Sequence, residues 1–171
     1  MISNGEKMKA ARIHSFGGPE VIVVEDVPRP VPASGELLVR VAAAGVGPWD
    51  ALIRAGNSKV SPKPPLTLGS DLSGVVEAVG PGVAQFKKGD EIYGVTNPQF
   101  CGAQAEYAIA SANMVAPRPQ RLSHLEAASA PVASMTRPRR WRSDKIMAEV
   151  LSKPLAAKQV LTRSFFECKT F

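Results

Sequence analysis

Trp49 and Asp50 stand side by side in the stretch G-V-G-P-W-D-A-L-I-R, Gly45 to Arg54, and put an aromatic plate next to an ionisable carboxylate. The indole is either a flat stacking surface or an ordinary half-buried core aromatic. The carboxylate is first of all a candidate helix N-cap, because Ala51 to Arg54 follows it directly. Metal chemistry has little to work with. Cys101 and Cys168 lie far apart, and neither His14 nor His124 stands at a ligand spacing from either, so no zinc pattern can be written and each thiol is expected to be buried or free. Gly80-Pro81-Gly82 has the glycines of a phosphate loop but no helix-opening pattern behind it, which makes it a turn. Tyr107 alternates with apolar neighbours, as a packing residue does. Arg137, Arg139, Arg140, Trp141 and Arg142 form a basic cluster with one aromatic, a weak nucleic-acid signal that a solvated charged segment explains better.

These residues need a scaffold, and the chain supplies short strands punctuated by glycine and proline. Strands are predicted at Lys9 to Ile13, Val21 to Val27, Glu36 to Ala44, Gly74 to Val79, Glu91 to Val95, Ala105 to Ala110 and Met114 to Ala116. Their spacing predicts a barrel-like, mainly β domain with few helices. Helix is expected at Trp49 to Arg54 and after Ser123, where Ser123 and Glu126 make a capping box ahead of an Ala-rich run.

At 171 residues the chain has room for one well-buried domain, and no apolar run approaches a membrane span. The start, M-I-S-N-G-E-K-M, carries no apolar secretory core; residues 1–7 are expected to be a polar leader, and the cytoplasm is the expected compartment. Charge is unevenly placed. Up to Thr136 there are twelve basic and twelve acidic residues, so the net charge of +6 belongs entirely to Arg137 to Phe171. All fourteen glycines lie at or before Gly102, so the last third of the chain holds no Gly-rich phosphate loop.

The order of the pieces carries a resemblance. GGPEVIVVEDVPRPVPASGELLVRVAAAGVGPWDALIRAG, LTLGSDLSGVVEAVGPGVAQFKKGDEIYGV, GAQAEYAIAS and LSHLEAASAPVASMT are similar to the N-terminal, GroES-like domain of the medium-chain dehydrogenase/reductase superfamily. Within it they resemble the zinc-free, NADPH-dependent quinone oxidoreductase branch. The specific parts are G-x-D-x-x-G-x-V-x-x-V-G at Gly69 to Gly80 and K-x-G-D at Lys87 to Asp90. The resemblance implies a mainly β fold with short helices, a GroES-like, partly open β-barrel over residues 8–136. Residues 137–171 are expected to be a basic tail outside the family, short-helical or disordered, with the Rossmann domain absent.

It also implies a cleft in which NADPH, held by a Rossmann domain, gives hydride to a quinone or an α,β-unsaturated ketone. The substrate-pocket candidates are Gly47, Trp49, Asp50 and Leu52. Gly47 stands where quinone reductases commonly have Asn, and Leu52 where some have Tyr, so two polar contacts are lost; Trp49 remains as a candidate wall for a conjugated ring. No zinc is expected, because the positions that hold Cys and His in the metal-dependent branch are Gly47 and Ser70 here. Thr136 is the candidate nicotinamide contact, a remnant, since R-P-R-R-W-R-S-D-K follows in place of the family's route to a cofactor fingerprint. The expected cause is a frameshift, a recombination or a fusion, leaving a substrate-side domain that binds no NADPH tightly and has little or no activity alone. In the tail, Ile146, Met147, Val150 and Leu151 recur at helical spacing and are expected to cover apolar surface; otherwise a protein partner or a second copy would. The alternatives are a non-enzymatic module that binds a Rossmann-containing partner and, with less support, a nucleic-acid binder.

Overall fold

A computed structural model describes residues 2–135. Strand β1 (Ile2–Ile13) pairs antiparallel with β2 (Ile22–Pro30), the two joined through a single 3-10 turn at Pro19–Val21. Residues expected to form a leader continue β1, with a shift of register between Ile2 and Lys7. Pro28 and Pro30 are tolerated because β2 is an edge strand, where a missing N–H costs least. On the other side of β1 lies β4 (Leu66–Thr67), a two-residue strand that no local pattern announced.

The second sheet has five antiparallel strands in the order β7-β3-β5-β6-β8: β3 (Glu36–Ala44), β5 (Asp71–Val79), β6 (Glu91–Val95), β7 (Tyr107–Ser111) and β8 (Val115–Pro117). Alternation sends Leu37 and Val39 of β3, Leu72 and Val76 of β5 and Ile92 of β6 inward, where they form the principal core. A smaller core of Ile13, Ile53, Leu66 and Leu68 lies against helix α1 (Pro48–Arg54) and seats it.

The sheets stay open and do not close into a barrel. The chain changes sheets just before β7: Ala105 bridges Ala10 and the Glu106 N–H donates to the Lys9 carbonyl at 3.0 Å, then Tyr107 pairs with Arg40 of β3. One short segment thus serves β1 briefly and β3 for its remaining length, which leaves a seam where a barrel would need a full ladder. Arg29 of β2 reinforces the connection, its guanidinium 3.9 Å over the Tyr107 ring and 3.5 Å from Glu77 of β5.

Gly80-Pro81-Gly82 is the expected turn. A Cβ on Gly80 would lie 1.9 Å from the Ala33 carbonyl oxygen, and the Gly35 N–H donates to the Pro81 carbonyl at 2.9 Å, so this turn packs flat on the loop entering β3. The box that starts α2 (His124–Ala128) is reciprocal: Ser123 Oγ accepts the Glu126 N–H at 3.2 Å, and the Glu126 carboxylate accepts the Ser123 N–H at 2.9 Å. The strands, α1 and α2 belong to one compact unit, Met1–Val132, and α3 (Pro131–Met135) crosses its boundary. No described helix is long and apolar enough to cross a membrane. Thr136 and the tail, with the stripes and basic cluster expected there, lie outside the described residues.

Candidate functional site

Helix α1 starts at Pro48, whose fixed φ suits a first helical position, with Gly47 as the N-cap residue. Helical spacing then sorts the candidates. Asp50 and Ile53 face inward, 5% and 2% exposed, while Leu52 faces out at 53%. Trp49 lies between these faces and is half-buried.

Two contacts hold the indole, one at its edge and one on a face. Its Nε1–H donates to Ser70 Oγ at 2.8 Å. Ser70, completely buried at the threshold of β5, spends its one hydroxyl proton on Asp71 Oδ2 at 2.9 Å, which leaves a lone pair for the indole. Asp71 Oδ1 in turn accepts the Val132 N–H at 2.7 Å. On the other side, a Cβ on Gly47 would come within 2.2 Å of Trp49 Cζ2 and 2.3 Å of Cε2. The indole is therefore laid on the bare Cα of residue 47 and clipped at residue 70.

Asp50 caps α1, but from its third helical position. The helix begins earlier than the sequence suggested because Pro48 initiates it, and Asp50 Oδ2 reaches back to accept the Gly47 N–H at 2.7 Å. Its other oxygen is buried without a hydrogen-bond partner. Burial pushes the Asp50 carboxyl up to about 6, the charge of Asp71 adds to this, and the Gly47 amide pulls it back. Burial raises Asp71 as well, against the Val132 amide and the Ser70 hydroxyl.

Gly47, Trp49, Asp50 and Leu52 thus meet at one helix start, with Val46, 77% exposed, as a further apolar neighbour in the chain. They do not all present the same way: Asp50 turns into the protein, Leu52 and part of Trp49 turn out. Thr136 lies outside the described residues. The concavity of about 610 Å³ lined by Lys7, Arg29, Arg40 and Tyr107 is elsewhere and does not include Trp49. Tyr107 carries the Arg29 guanidinium on its ring, in keeping with a packing role.

Sequence reasoning missed Ser70 as a partner of Trp49, having weighed it only as a poor metal ligand. Twenty-one positions separate the two residues, and no local periodicity encodes that pairing. It also missed a Ser-His-Glu row, in which Ser73 Oγ lies 2.7 Å from His124 Nδ1 and His124 Nε2 lies 3.5 Å from Glu91. That row is structural. Ser73 is fully buried and donates to the Ile92 carbonyl at 2.8 Å, so its oxygen accepts from His124 and serves as no nucleophile. Among the described residues Cys101 is a free, partly buried thiol, and burial pushes its pKa up. Among the described residues, no three His, Cys, Asp or Glu side chains come together as a metal group.

The sequence profile of the alcohol dehydrogenase GroES-like domain matches residues 33–120. Over 130 residues the chain is 41% identical to a quinone oxidoreductase of Sus scrofa, an alignment covering 75% of this chain and 39% of the relative. The solved quinone oxidoreductase of Coxiella burnetii superposes with a TM-score of 0.72 at 34% identity, over 77% of this chain and 43% of that one. A mycobacterial protein solved in complex with NADPH superposes with a TM-score of 0.68 at 35% identity, over 75% of this chain and 38% of that one. The chain spans about two fifths of the length of the curated relatives it matches.

Proposed function

Because the chain belongs to the alcohol dehydrogenase GroES-like domain family, we propose that it supplies the substrate-side wall of a zinc-independent, NADPH-dependent quinone or enone reductase. The observation that carries this reading is the Trp49 indole, held in one orientation by Gly47 and Ser70 with part of its surface open. A plate of this kind suits the ring of a quinone or a conjugated ketone. Beside it, Leu52 and Val46 offer apolar surface that excludes water, while Asp50 holds the start of α1 from the inside and touches no ligand.

NADPH, bound by a nucleotide-binding fold outside the described residues, supplies hydride to the carbon β to the carbonyl; Thr136 is proposed as this chain's contact to the nicotinamide. The 171-residue chain alone is expected to show little or no turnover and no tight NADPH binding, since no glycine follows Gly102 to build a phosphate loop. Zinc has no place in this reading. Gly47 has no donor atom, Ser70 is engaged on both sides, and the indole fills the space between them, so these residues do not fit a metal. The relatives' printed name, quinone oxidoreductase, supports the substrate class. The uncovered apolar groups beside α1 suit a companion protein carrying the nucleotide fold or a second copy of the chain. A cytoplasmic location is part of the same proposal.

Calorimetric titration of the chain with naphthoquinone tests the proposal. Saturable binding at one site per chain is expected, and heats no larger than those of dilution would overturn it.

A further inference from the structure

Trp49 and Gly47 cannot be varied independently. Real Cβ atoms essentially never approach another heavy atom within 3.0 Å, and a Cβ at residue 47 would meet three indole carbons at 2.2–2.5 Å. Any side chain there must therefore expel the indole, and the indole, while seated, keeps every side chain away. The hydrogen bond to Ser70 removes the remaining freedom of rotation. Ser70 is itself fixed, being fully buried and bonded to a carboxylate whose other oxygen is held by the Val132 backbone. A half-buried tryptophan normally retains some choice of rotamer; this one is pinned at its ring edge and across its face.

We infer that Trp49, seated on Gly47 and clipped by Ser70, determines specificity at this wall by presenting a rigid apolar plate that selects flat, uncharged, conjugated ligands. The inference rests on the reductase reading above and deepens it. The one polar atom of the indole is spent on Ser70, so the plate offers a ligand no hydrogen-bond donor. The carboxylates behind it, Asp50 and Asp71, are buried and turned to backbone amides and Ser70. A charged substituent brought to this surface would lose water and gain no partner, whereas a neutral ring keeps the whole benefit of stacking.

The experiment uses the full chain carrying Trp141→Phe, so that Trp49 is the only tryptophan. Emission is recorded, and quenching is titrated with naphthoquinone and with naphthoquinone sulfonate as the charged probe. Saturable quenching by the neutral probe is expected, with clearly weaker binding of the sulfonate. Gly47→Ala is expected to shift the emission to the red. By calorimetry, adding Trp49→Ala is expected to weaken naphthoquinone roughly five-fold and to erase the preference for the neutral probe. Should Gly47→Ala fail to fold, the double change Gly47→Ala with Trp49→Ala is expected to restore a folded chain, since the clash is gone. Naphthoquinone binding that Trp49→Ala leaves unchanged in strength and preference would overturn the specificity role alone. No binding of either probe by the Trp141→Phe chain would overturn the reductase reading itself.

Discussion

At Asp50 a carboxyl group sits where water hardly reaches, with one oxygen on the Gly47 amide and the other unpartnered. Its pKa in the folded chain is about 6, above the ordinary value of 3.8. The folded state therefore binds this proton more tightly than the unfolded state, and the associated stability is present at low pH and lost as pH rises from about 4 through about 6. Asp50→Asn keeps the shape and an acceptor for Gly47 while removing the charge. Urea denaturation should find the variant equal to the parent near pH 3 and more stable by roughly 3 kcal/mol above pH 6.5, an order-of-magnitude figure. A difference that stays constant across that range would place the cost of Asp50 elsewhere. At this scale the sequence showed an aromatic and a carboxylate at a helix start, because Pro48, Trp49 and Asp50 are local neighbours. It could not show that Ser70 holds the indole or that Gly47 is its seat, because both facts depend on how β5 is brought beside α1.

Among the elements, β3 and β6 are legible to the residue, since each is a largely apolar run bounded by turn signals. The first part of β1 is not, because its residues are polar and its pairing is dictated by β2. Nor is β4, whose two residues form a strand only because β1 lies alongside. The failure to close a barrel is equally non-local: the length of the seam depends on where the chain leaves β1 for β3. Arg29 is the clearest side-chain tie between the sheets, stacked on Tyr107 and bonded to Glu6 at 2.6 Å and Glu77 at 3.5 Å. Replacing Arg29 with Ala should lower stability by about 1–2 kcal/mol. Arg29→Lys should recover less than half of that, since an ammonium lacks the planar fork; full recovery in a thermal melt would reduce the tie to simple charge. Gly80→Ala should cost more, above about 2 kcal/mol, because backbone at Ala33 must move to admit the methyl group. A melting temperature unchanged by that substitution would mean the turn is not packed as described.

For the whole molecule, charge is unevenly distributed along the sequence, and the family match covers residues 33–120. Up to Thr136 basic and acidic residues balance, and the excess of +6 lies after it. The fold class was legible because the glycine and proline punctuation, the G-x-D-x-x-G segment and the capping box at Ser123 are all local patterns that agree with one another. The division of labour is less so, since a wall acquires a function only opposite a cofactor. The chain covers about two fifths of its curated relatives, and the central claim is that this part recognises the ring of the substrate while hydride delivery belongs to a nucleotide-binding fold. Following NADPH consumption by the purified 171-residue chain under saturating naphthoquinone tests that claim most directly. The account predicts no consumption above the protein-free rate while naphthoquinone still binds; sustained consumption by the chain alone would contradict it.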